Sequence, residues 1–343
     1  MSKRKLTRRQ AWRVEKIQEE KADRARKKES DISSQLNAGE LGDEAEGQII
    51  AHFGTQVELE ARSDRQTRFR CYLRANLGSL VTGDYVIFRP GPEVNGVRTG
   101  VVETVLERQS ELSRPNPYNE IKPVAANIDF IVLVIAPEPE AHANLIDRYL
   151  VAAENCHIEP IILFNKTDLL NDSNRQKFAN MLASYEQLGY RTLRVCSKDD
   201  SSLGELKEFL NGRVSVFVGQ SGVGKSSLIG TLLPGEDLKV GALSENTRKG
   251  RHTTTTARLY HFPAGGDLID SPGIREFGLW HMSADDVLYG FRELRPVTGY
   301  CRFRDCAHEQ EPGCALQAAV KKGEVRQERF DSYRRILQTL TEL

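Results

Sequence analysis

Short apolar segments alternate with helical patterns through the central part of the chain. Continuous apolar runs predict buried strands at residues 129–136, 160–164, 191–196, 214–218 and 268–269. Amphipathic patterns between them predict helices at residues 141–155, 173–188, 203–210 and 226–233. Because continuously apolar strands are buried on both faces, this alternation predicts an α/β domain with a mostly parallel, doubly wound sheet. We expect this domain to span residues 113–279.

Five shorter strands precede this domain. They are predicted at residues 48–53, 56–61, 67–73, 84–88 and 97–106, separated by glycine or polar turns. This pattern is typical of a small closed all-β barrel such as the OB-fold, which we expect over residues 46–112. Residues 113–117 predict an extended linker after it.

The third predicted strand and its flanks combine positive charge with flat rings, as nucleic-acid-binding barrels do. The residues concerned are Arg62, Arg65, Arg68, Arg70, Arg74, Phe69 and Tyr72. A barrel that serves only as a spacer between proteins or domains is the alternative.

The C-terminal segment, residues 280–343, has the pattern of a small α-helical domain. Ser283 begins a helix-start signature, and we expect that helix to reach about Leu294. Apolar residues at helical spacing predict a terminal helix that packs on its own domain: Val325, Phe330, Tyr333, Ile336, Leu337 and Leu340.

A cysteine and histidine cluster lies between these two helices. Its members are Cys301, Cys306, His308 and Cys314, all within fourteen residues. Three thiolates and an imidazole suit tetrahedral Zn²⁺, and four protein ligands leave no open position, which predicts a structural zinc site. Three reduced cysteines beside an unrelated histidine is the alternative. The other cysteines, Cys71, Cys156 and Cys196, fall in strand or helix patterns and are expected to be buried as small apolar side chains.

Charge and composition narrow the class of protein and its compartment. The 343 residues carry no net charge, but residues 1–30 contain twelve Lys and Arg against five Asp and Glu. A basic arm over residues 1–45 indicates contact with nucleic acid or another polyanion, with a solvated helical tail as the alternative. The sequence contains neither an apolar run long enough to span a bilayer nor a secretory signal. We expect a cytoplasmic protein that does not bind membranes, and we expect it to be a monomer.

Residues 219–226 fit G-x-x-x-x-G-K-[ST], the motif of the phosphate-binding loop, and this is the strongest functional motif in the sequence. It follows a predicted strand and opens a predicted helix, so its context fits as well. Glycines let backbone N–H groups point at phosphate oxygens, and the helix N-terminus adds its positive dipole end. Lys225 is expected to reach the outer phosphates and Ser226 to bind Mg²⁺. The nucleotide-binding residues expected here are Gly219, Gln220, Ser221, Gly222, Val223, Gly224, Lys225, Ser226 and Ser227.

A second motif directly follows a predicted strand, at the edge where doubly wound sheets bind ligands. It consists of Asn165, Lys166, Thr167 and Asp168. An aspartate there can accept both N–H donors on the edge of guanine, a pair that adenine lacks, so Asp168 predicts guanine specificity. Ser197 and Lys198 close the next strand, where a backbone N–H can reach the guanine oxygen. An ATP-dependent enzyme on the same loop is an alternative that Asp168 disfavours.

Two further segments fit the switch regions of nucleotide hydrolases. Residues 244–258 form a polar, basic loop that contains His252 and a run of four threonines. One threonine, with Thr254 and Thr255 as candidates, should complete the Mg²⁺ shell. Residues 270–273 fit D-x-x-G. We expect Asp270 to bind Mg²⁺ and the Gly273 N–H to donate to the γ-phosphate.

In chain order, N-K-T-D, C-S-K, G-Q-S-G-V-G-K-S, the threonine run and D-S-P-G are the five GTPase boxes in rotated order. With the barrel and the cysteine cluster, the sequence resembles the RsgA (YjeQ) family of circularly permuted GTPases over residues 46–343. The resemblance implies a GTPase that acts late in assembly of the bacterial small ribosomal subunit, with zinc bound by the four C-terminal ligands.

The resemblance also bears on catalysis. Ile274 stands where many GTPases carry a water-positioning glutamine. The resemblance implies that His252 takes this role once the ribosome positions it, so that unaided turnover is slow. A loop histidine that only touches RNA is the alternative.

Two functional hypotheses follow. The first is a GTPase that binds the small subunit and its rRNA and hydrolyses GTP to GDP and phosphate in a ribosome-stimulated way, with Mg²⁺. The second is an RNA-binding assembly module in which the guanine nucleotide is a non-catalytic switch.

Overall fold

The structure is a computed structural model that describes residues 41–74, 77–115, 120–235, 257–270 and 282–341. The predicted basic arm therefore lies outside the described residues, apart from its last few positions. The chain divides into two compact units. The first contains Phe53–Gly78 and Tyr85–Leu106 with the residues before Ile50, and the second contains Ile50–His52, Ser79–Asp84 and everything from Glu107 onward. None of the helices in the described part combines the length and the apolar character that crossing a bilayer requires.

A five-stranded barrel makes up the first unit, apart from Ile50–His52 in its first strand. Its strands are β1 (Ala45–Phe53), β2 (Gln56–Ala61), β3 (Asp64–Leu73), β4 (Tyr85–Val94) and β5 (Val97–Val105). They pair in the order β1-β2-β3-β5-β4, and a β1–β4 pairing closes the ring. Alternate side chains fill the interior, where the rings of Phe69 and Phe88 lie 5.0 Å apart. The predicted OB-like barrel is thereby confirmed.

A two-stranded antiparallel ribbon follows, formed by β6 (Glu111–Pro115) and β7 (Ile121–Ala126). Residues 113–117 were predicted to form an extended linker, but the first three of them belong to β6. Proline fits there because a strand at a ribbon edge does not need every backbone N–H for pairing. The structure therefore replaces part of the predicted linker with a paired strand.

The second unit contains a six-stranded sheet with the order β10-β9-β8-β11-β13-β12. Its strands are β8 (Phe130–Ile135), β9 (Glu159–Phe164), β10 (Arg191–Arg194), β11 (Val214–Val218), β12 (Arg258–His261) and β13 (Asp267–Asp270). All neighbours are parallel except β12 and β13, which are antiparallel. This confirms the predicted mostly parallel sheet.

Helices cover both faces of this sheet. They are α1 (Ala143–Asn155), α2 (Arg175–Glu186), α3 (Gly204–Leu210) and α4 (Lys225–Leu232). Successive residues of β8 point to opposite faces: Ile131 and Leu133 join the apolar core with α1 and α2, whereas Val132 and Val134 join the core with α3 and α4. The doubly wound arrangement follows from this alternation.

The C-terminal helices extend the core on the α1 side. They are α5 (Ala284–Tyr289), α6 (Ala315–Lys321) and α7 (Gln327–Thr341), and α7 contributes Phe330, Tyr333 and Ile336 to that core. Ser283 and Asp286 form a capping box at the predicted helix start. However, α5 ends at Tyr289 rather than near Leu294. A Cβ at Gly290 would lie 2.6 Å from a methyl group of Val151, so the chain passes too close to α1 there for most residues.

Candidate nucleotide site and metal centre

The predicted nucleotide-binding segments follow strands that end at one edge of the sheet. Strands β8, β9, β10 and β11 are mutually parallel neighbours, so their carboxyl ends lie together. The backbone N–H of Asn165, just after β9, donates to the Ile135 carbonyl at 2.8 Å. The backbone N–H of Thr167 donates to the Val195 carbonyl at 3.3 Å. Such a carboxyl edge is where ligands bind in open α/β sheets.

Two glycines of the phosphate-binding loop are required by close approach as well as by conformation. Gly219 has φ +135°, and a Cβ there would lie 2.3 Å from the Val134 carbonyl oxygen. Gly224 has φ +93°, and a Cβ there would lie 2.5 Å from Asn165 Nδ2. Any side chain at either position would push the loop away from β8 or β9. The loop thus packs directly on the two strands that carry the rest of the site.

Lys225 is the first residue of α4 and turns back over the loop. Its Nζ donates to the carbonyl oxygens of Gly219 at 2.5 Å and Gln220 at 2.7 Å. A lysine held in this position presents its charge to the concave side of the loop, where backbone N–H groups converge in phosphate-binding loops. Ser226 and Ser227 are exposed in the first turn of α4, and Ser221 is exposed in the loop.

Asn165 joins the base-reading segments to the phosphate-binding loop. Its side chain is fully buried. The Nδ2 group donates to the Val223 carbonyl at 3.0 Å, and Oδ1 accepts from the Ser197 backbone N–H at 3.2 Å. A single amide therefore connects three segments that are far apart in the sequence.

Lys166 makes a second connection between the same segments. It has a left-handed backbone with φ +58°, and its Nζ donates to the Gly222 carbonyl at 2.7 Å. The same ammonium donates to the Glu138 carbonyl at 2.8 Å. The Glu138 segment was not predicted from the sequence, because it acts through a backbone carbonyl, which every residue type has.

Asp168 lies on the rim of the site and is ionised. Its Oδ2 accepts from Lys198 Nζ at 2.8 Å, and its Oδ1 accepts from the Cys196 thiol at 3.3 Å. The bond from Lys198, and then the bond from Cys196, hold the pKa of the Asp168 carboxyl below its usual value. Cys196 is buried, as predicted for a small apolar side chain, but it also orients this carboxylate. The predicted base-reading residues Asn165, Asp168, Ser197 and Lys198 are thus brought together.

The predicted Mg²⁺ ligands are only partly described. Asp270 is the last residue of β13, whose parallel neighbour β11 leads into the phosphate-binding loop. Ser226 follows that loop directly, so both side chains belong to the same edge of the sheet. Thr254, Thr255, the catalytic candidate His252 and the γ-phosphate contact Gly273 lie outside the described residues.

The four C-terminal ligand candidates form one cluster. The ligand atoms of Cys301, Cys306, His308 and Cys314 all lie within 4.8 Å of one another. His308 Nδ1 is 3.5 Å from the sulfurs of both Cys301 and Cys314. Tetrahedral Zn²⁺ with ordinary bond lengths requires about 3.6 Å between a ligand sulfur and a ligand nitrogen. The donor set and its spacing therefore fit a metal ion.

The surroundings of the cluster support the same conclusion. The Ala315 backbone N–H donates to the Cys301 sulfur at 3.3 Å, the kind of outer-shell contact that orients a thiolate ligand. Burial, together with the neighbouring sulfurs of Cys301 and Cys314, raises the pKa of the Cys306 thiol to about 12. A divalent cation would reverse this effect, because a metal-bound thiol is deprotonated.

Comparisons with known proteins identify the family. The model of a family described as RsgA GTPase matches residues 105–280. A small ribosomal subunit biogenesis GTPase RsgA from Marinobacter nauticus is 55% identical, with 100% of this chain and 97% of that protein aligned. The protein of the same name from Azotobacter vinelandii is 56% identical, with 100% and 99% aligned.

Two solved structures share the fold. YjeQ from Thermotoga maritima has a TM-score of 0.71 and 31% identity, and covers 87% of this chain and 99% of its own. YloQ, described as a circularly permuted GTPase, has a TM-score of 0.68 and 29% identity, and covers 88% of this chain and 96% of its own. The order of the motifs along this chain agrees with that permutation, since the base-reading segments precede the phosphate-binding loop. The chain therefore belongs to the RsgA GTPase family and is a GTP-hydrolysing enzyme.

Proposed function

We propose that this GTPase acts in maturation of the small ribosomal subunit, in the cytoplasm and as a monomer. It would bind the subunit and its rRNA and hydrolyse GTP to GDP and phosphate faster when bound. The names of its relatives support the assignment to small-subunit biogenesis. The observation that carries the enzymatic part is the buried Asn165 amide, which joins the base-reading segments to the phosphate-binding loop.

Within this proposal, the loop from Gly219 to Ser227 holds the phosphates, while Asn165, Lys166, Thr167 and Asp168 hold the guanine with Ser197 and Lys198. Ser226, Asp270 and either Thr254 or Thr255 would hold Mg²⁺, which neutralises charge on the phosphates. Lys225 and the loop N–H groups stabilise the charge that develops on the transferred phosphoryl oxygens. Little covalent chemistry is asked of the protein, so acceleration comes from positioning and electrostatics.

The cluster of Cys301, Cys306, His308 and Cys314 is proposed to hold one structural Zn²⁺. Four protein donors with thiolate and imidazole chemistry favour zinc over the hard cations Mg²⁺ and Ca²⁺. When bound, the ion supplies cross-links between parts of a loop that has no regular secondary structure of its own from residue 298 to residue 314.

For the RNA contact, the segment around the first two metal ligands is a candidate beside the barrel. Within the barrel unit, Arg62, Arg68, Arg74 and Arg89 are paired with carboxylates, whereas Arg70 lies over the ring of Phe53, which is 46% exposed. In the metal loop, Tyr300 is 78% exposed and Phe303 is 43% exposed. Arg302 lies over the Phe303 ring, and among the described residues neither Arg302 nor Arg304 makes an ion pair. Exposed rings beside unneutralised arginines suit unpaired RNA bases and phosphates.

The proposal predicts that small subunits stimulate GTP turnover more than large subunits or bare RNA do. Phosphate release should be measured with each addition, alongside a Lys225→Ala variant to subtract contaminating activity. Equal rates with and without small subunits would contradict the ribosomal part of the proposal. They would leave the family assignment intact.

His252 is proposed to position the attacking water in the subunit-bound state. We expect His252→Ala to lower the subunit-stimulated rate by roughly 100-fold, the lower range for a positioned acid–base group. Binding of GTP should change little. The measurement is the pH–rate profile of stimulated turnover, because an imidazole that acts in the reaction contributes a pKa near neutrality. An identical profile in the variant would show that His252 has no such role.

A further inference from the structure

The segment between β8 and α1 contacts both halves of the nucleotide site. The Glu138 carbonyl accepts from Lys166 Nζ at 2.8 Å, and the Pro139 carbonyl accepts from Gln220 Nε2 at 2.9 Å. A Cβ at Gly222 would lie 3.3 Å from the Pro139 ring. Residues 138–140 therefore form a wall that supports one base-reading lysine and one residue of the phosphate-binding loop.

Helix α1 begins three residues after this wall and is held by the C-terminal helix α7. Asn144 Nδ2, in the first turn of α1, donates to the hydroxyl of Ser332 at 3.0 Å and to its carbonyl at 3.2 Å. Arg148, one turn later, donates to the Thr339 hydroxyl at 2.9 Å. The C-terminal helix thus makes polar contacts with the end of α1 that is nearest the nucleotide site.

A buried ion pair links these two helices. The Asp147 carboxylate pairs with the Arg329 guanidinium, and both side chains are more than nine-tenths buried. Tyr185 donates to Asp147 Oδ1 at 2.8 Å, and Glu293 accepts from Arg329 at 2.6 Å. Burial raises the pKa of the Asp147 carboxyl, and the charge of Arg329 acts in the opposite direction.

Packing one helix on another through a buried ion pair carries a large desolvation free energy. Apolar side chains of similar volume would hold α7 as firmly or more firmly, because a buried ion pair must first be stripped of water. What a buried pair supplies is one defined register, since sliding α7 along α1 would leave both charges buried and unpaired.

We propose that α7 is a positioning element for nucleotide binding. Its contacts with Asn144 and Asp147 fix the first turn of α1, and α1 in turn fixes the wall of residues 138–140 that supports Lys166 and Gln220. The inference rests on the assignment to the GTPase family and is independent of the ribosomal partner. Ser332 is thereby a positioning residue. It lies far along the chain from the predicted nucleotide-binding residues and, among the described residues, forms no hydrogen bond with any of them.

Two substitutions of matched shape test this at Ser332. Ser332→Thr keeps the hydroxyl that accepts from Asn144 and interacts with the Asp147 carboxyl, whereas Ser332→Val has nearly the same volume without it. Relative to the threonine variant, the valine variant should bind GDP about 2- to 30-fold more weakly, the range of coupling between sites that share no ligand contact. Turnover at saturating GTP should change by less than about two-fold, because the bound nucleotide still meets the same catalytic groups and only uniform binding is lost.

Thr339→Val is the control on the same pair of helices. It removes the hydroxyl that accepts from Arg148, one turn further from the wall. Its GDP affinity should match that of the unmodified protein, even though α7 loses a comparable hydrogen bond. Affinity should be measured on the full chain by titration with fluorescent GDP, with the melting temperature recorded without nucleotide. Equal GDP affinities for Ser332→Val and Ser332→Thr would overturn the proposal, and so would losses of affinity that simply follow the melting temperature across all three variants.

Hydrogen exchange supplies a second readout. Coupling between two sites is reciprocal in binding free energy. GDP should therefore slow amide exchange in α7 of the unmodified protein and should do so less in Ser332→Val. Unchanged exchange in α7 on addition of GDP would also overturn the proposal.

Discussion

Replacing Asp168 by asparagine should exchange guanine for xanthine as the preferred base. The carboxylate offers two acceptors to the two N–H donors on the guanine edge, whereas an amide offers one acceptor and one donor. The amide donor would oppose the guanine amino group but would match the carbonyl that xanthine carries at the same position. A mismatched polar edge in such a site is penalised strongly, so we expect a loss of roughly 1,000-fold in affinity for GTP.

The measurement is competition by GTP and by xanthosine triphosphate for a fluorescent nucleotide. Lys198→Ala is the matched control, because it removes the ammonium of the 2.8 Å ion pair but keeps both carboxylate acceptors and the backbone N–H that we expect to reach the guanine oxygen. That variant should keep its preference for guanine. An Asp168→Asn protein that still preferred GTP over xanthosine triphosphate would show that Asp168 does not read the base.

The same contacts predict how base selectivity depends on pH. Lys198 and Cys196 lower the pKa of Asp168, and the ordinary value for an aspartate is about 3.9. A lowered pKa means that the carboxylate keeps its charge at all pH values above that ordinary value. Selectivity for guanine over adenine should therefore be constant between about pH 5 and pH 8.

The arrangement of the nucleotide site was accessible from the sequence because its residue types are chemically specific. The phosphate-binding loop follows one apolar strand, and Asn165 and Asp168 follow another. These segments can form one site only if both strands end at the same edge of the sheet. The sheet brings both strand ends to one edge, where the Asn165 amide donates to the Val223 carbonyl. The side chains expected to contact the nucleotide are therefore the same ones that define the sequence motifs.

Other parts of the structure were not accessible in this way. The wall at Glu138 and Pro139 makes its hydrogen bonds through backbone carbonyls. Because every residue has one, the residue types at these positions do not predict the wall. The end of α5 at Tyr289 and the close approach of Gly290 to Val151 are not encoded in local spacing. The β6–β7 ribbon was hidden because prolines in its first strand are typical of linkers as well as of edge strands.

Loss of one metal ligand should unfold the loop that carries the exposed aromatic residues. Residues 298–314 contain no helix or strand, so cross-links through a metal ion would replace the secondary structure that they lack. Structural zinc sites contribute about 10–16 kcal/mol of apparent binding free energy at neutral pH, and a serine hydroxyl cannot replace the thiolate as a ligand. We expect Cys306→Ser to abolish binding of stoichiometric zinc and to lower the melting temperature of the second unit.

The effect should spread from the loop into the core, because Cys314 is the N-cap residue of α6 and is itself buried. Hydrogen exchange should therefore accelerate through the loop and through α6, while β8 and β11 in the middle of the sheet keep their protection. Cys156→Ser is the control: it makes the same chemical change at a half-buried thiol outside the cluster and should retain the metal. The measurements are the zinc content and the amide hydrogen exchange of both variants. A Cys306→Ser protein that kept one zinc ion and a protected α6 would show that the four residues do not form a structural metal site.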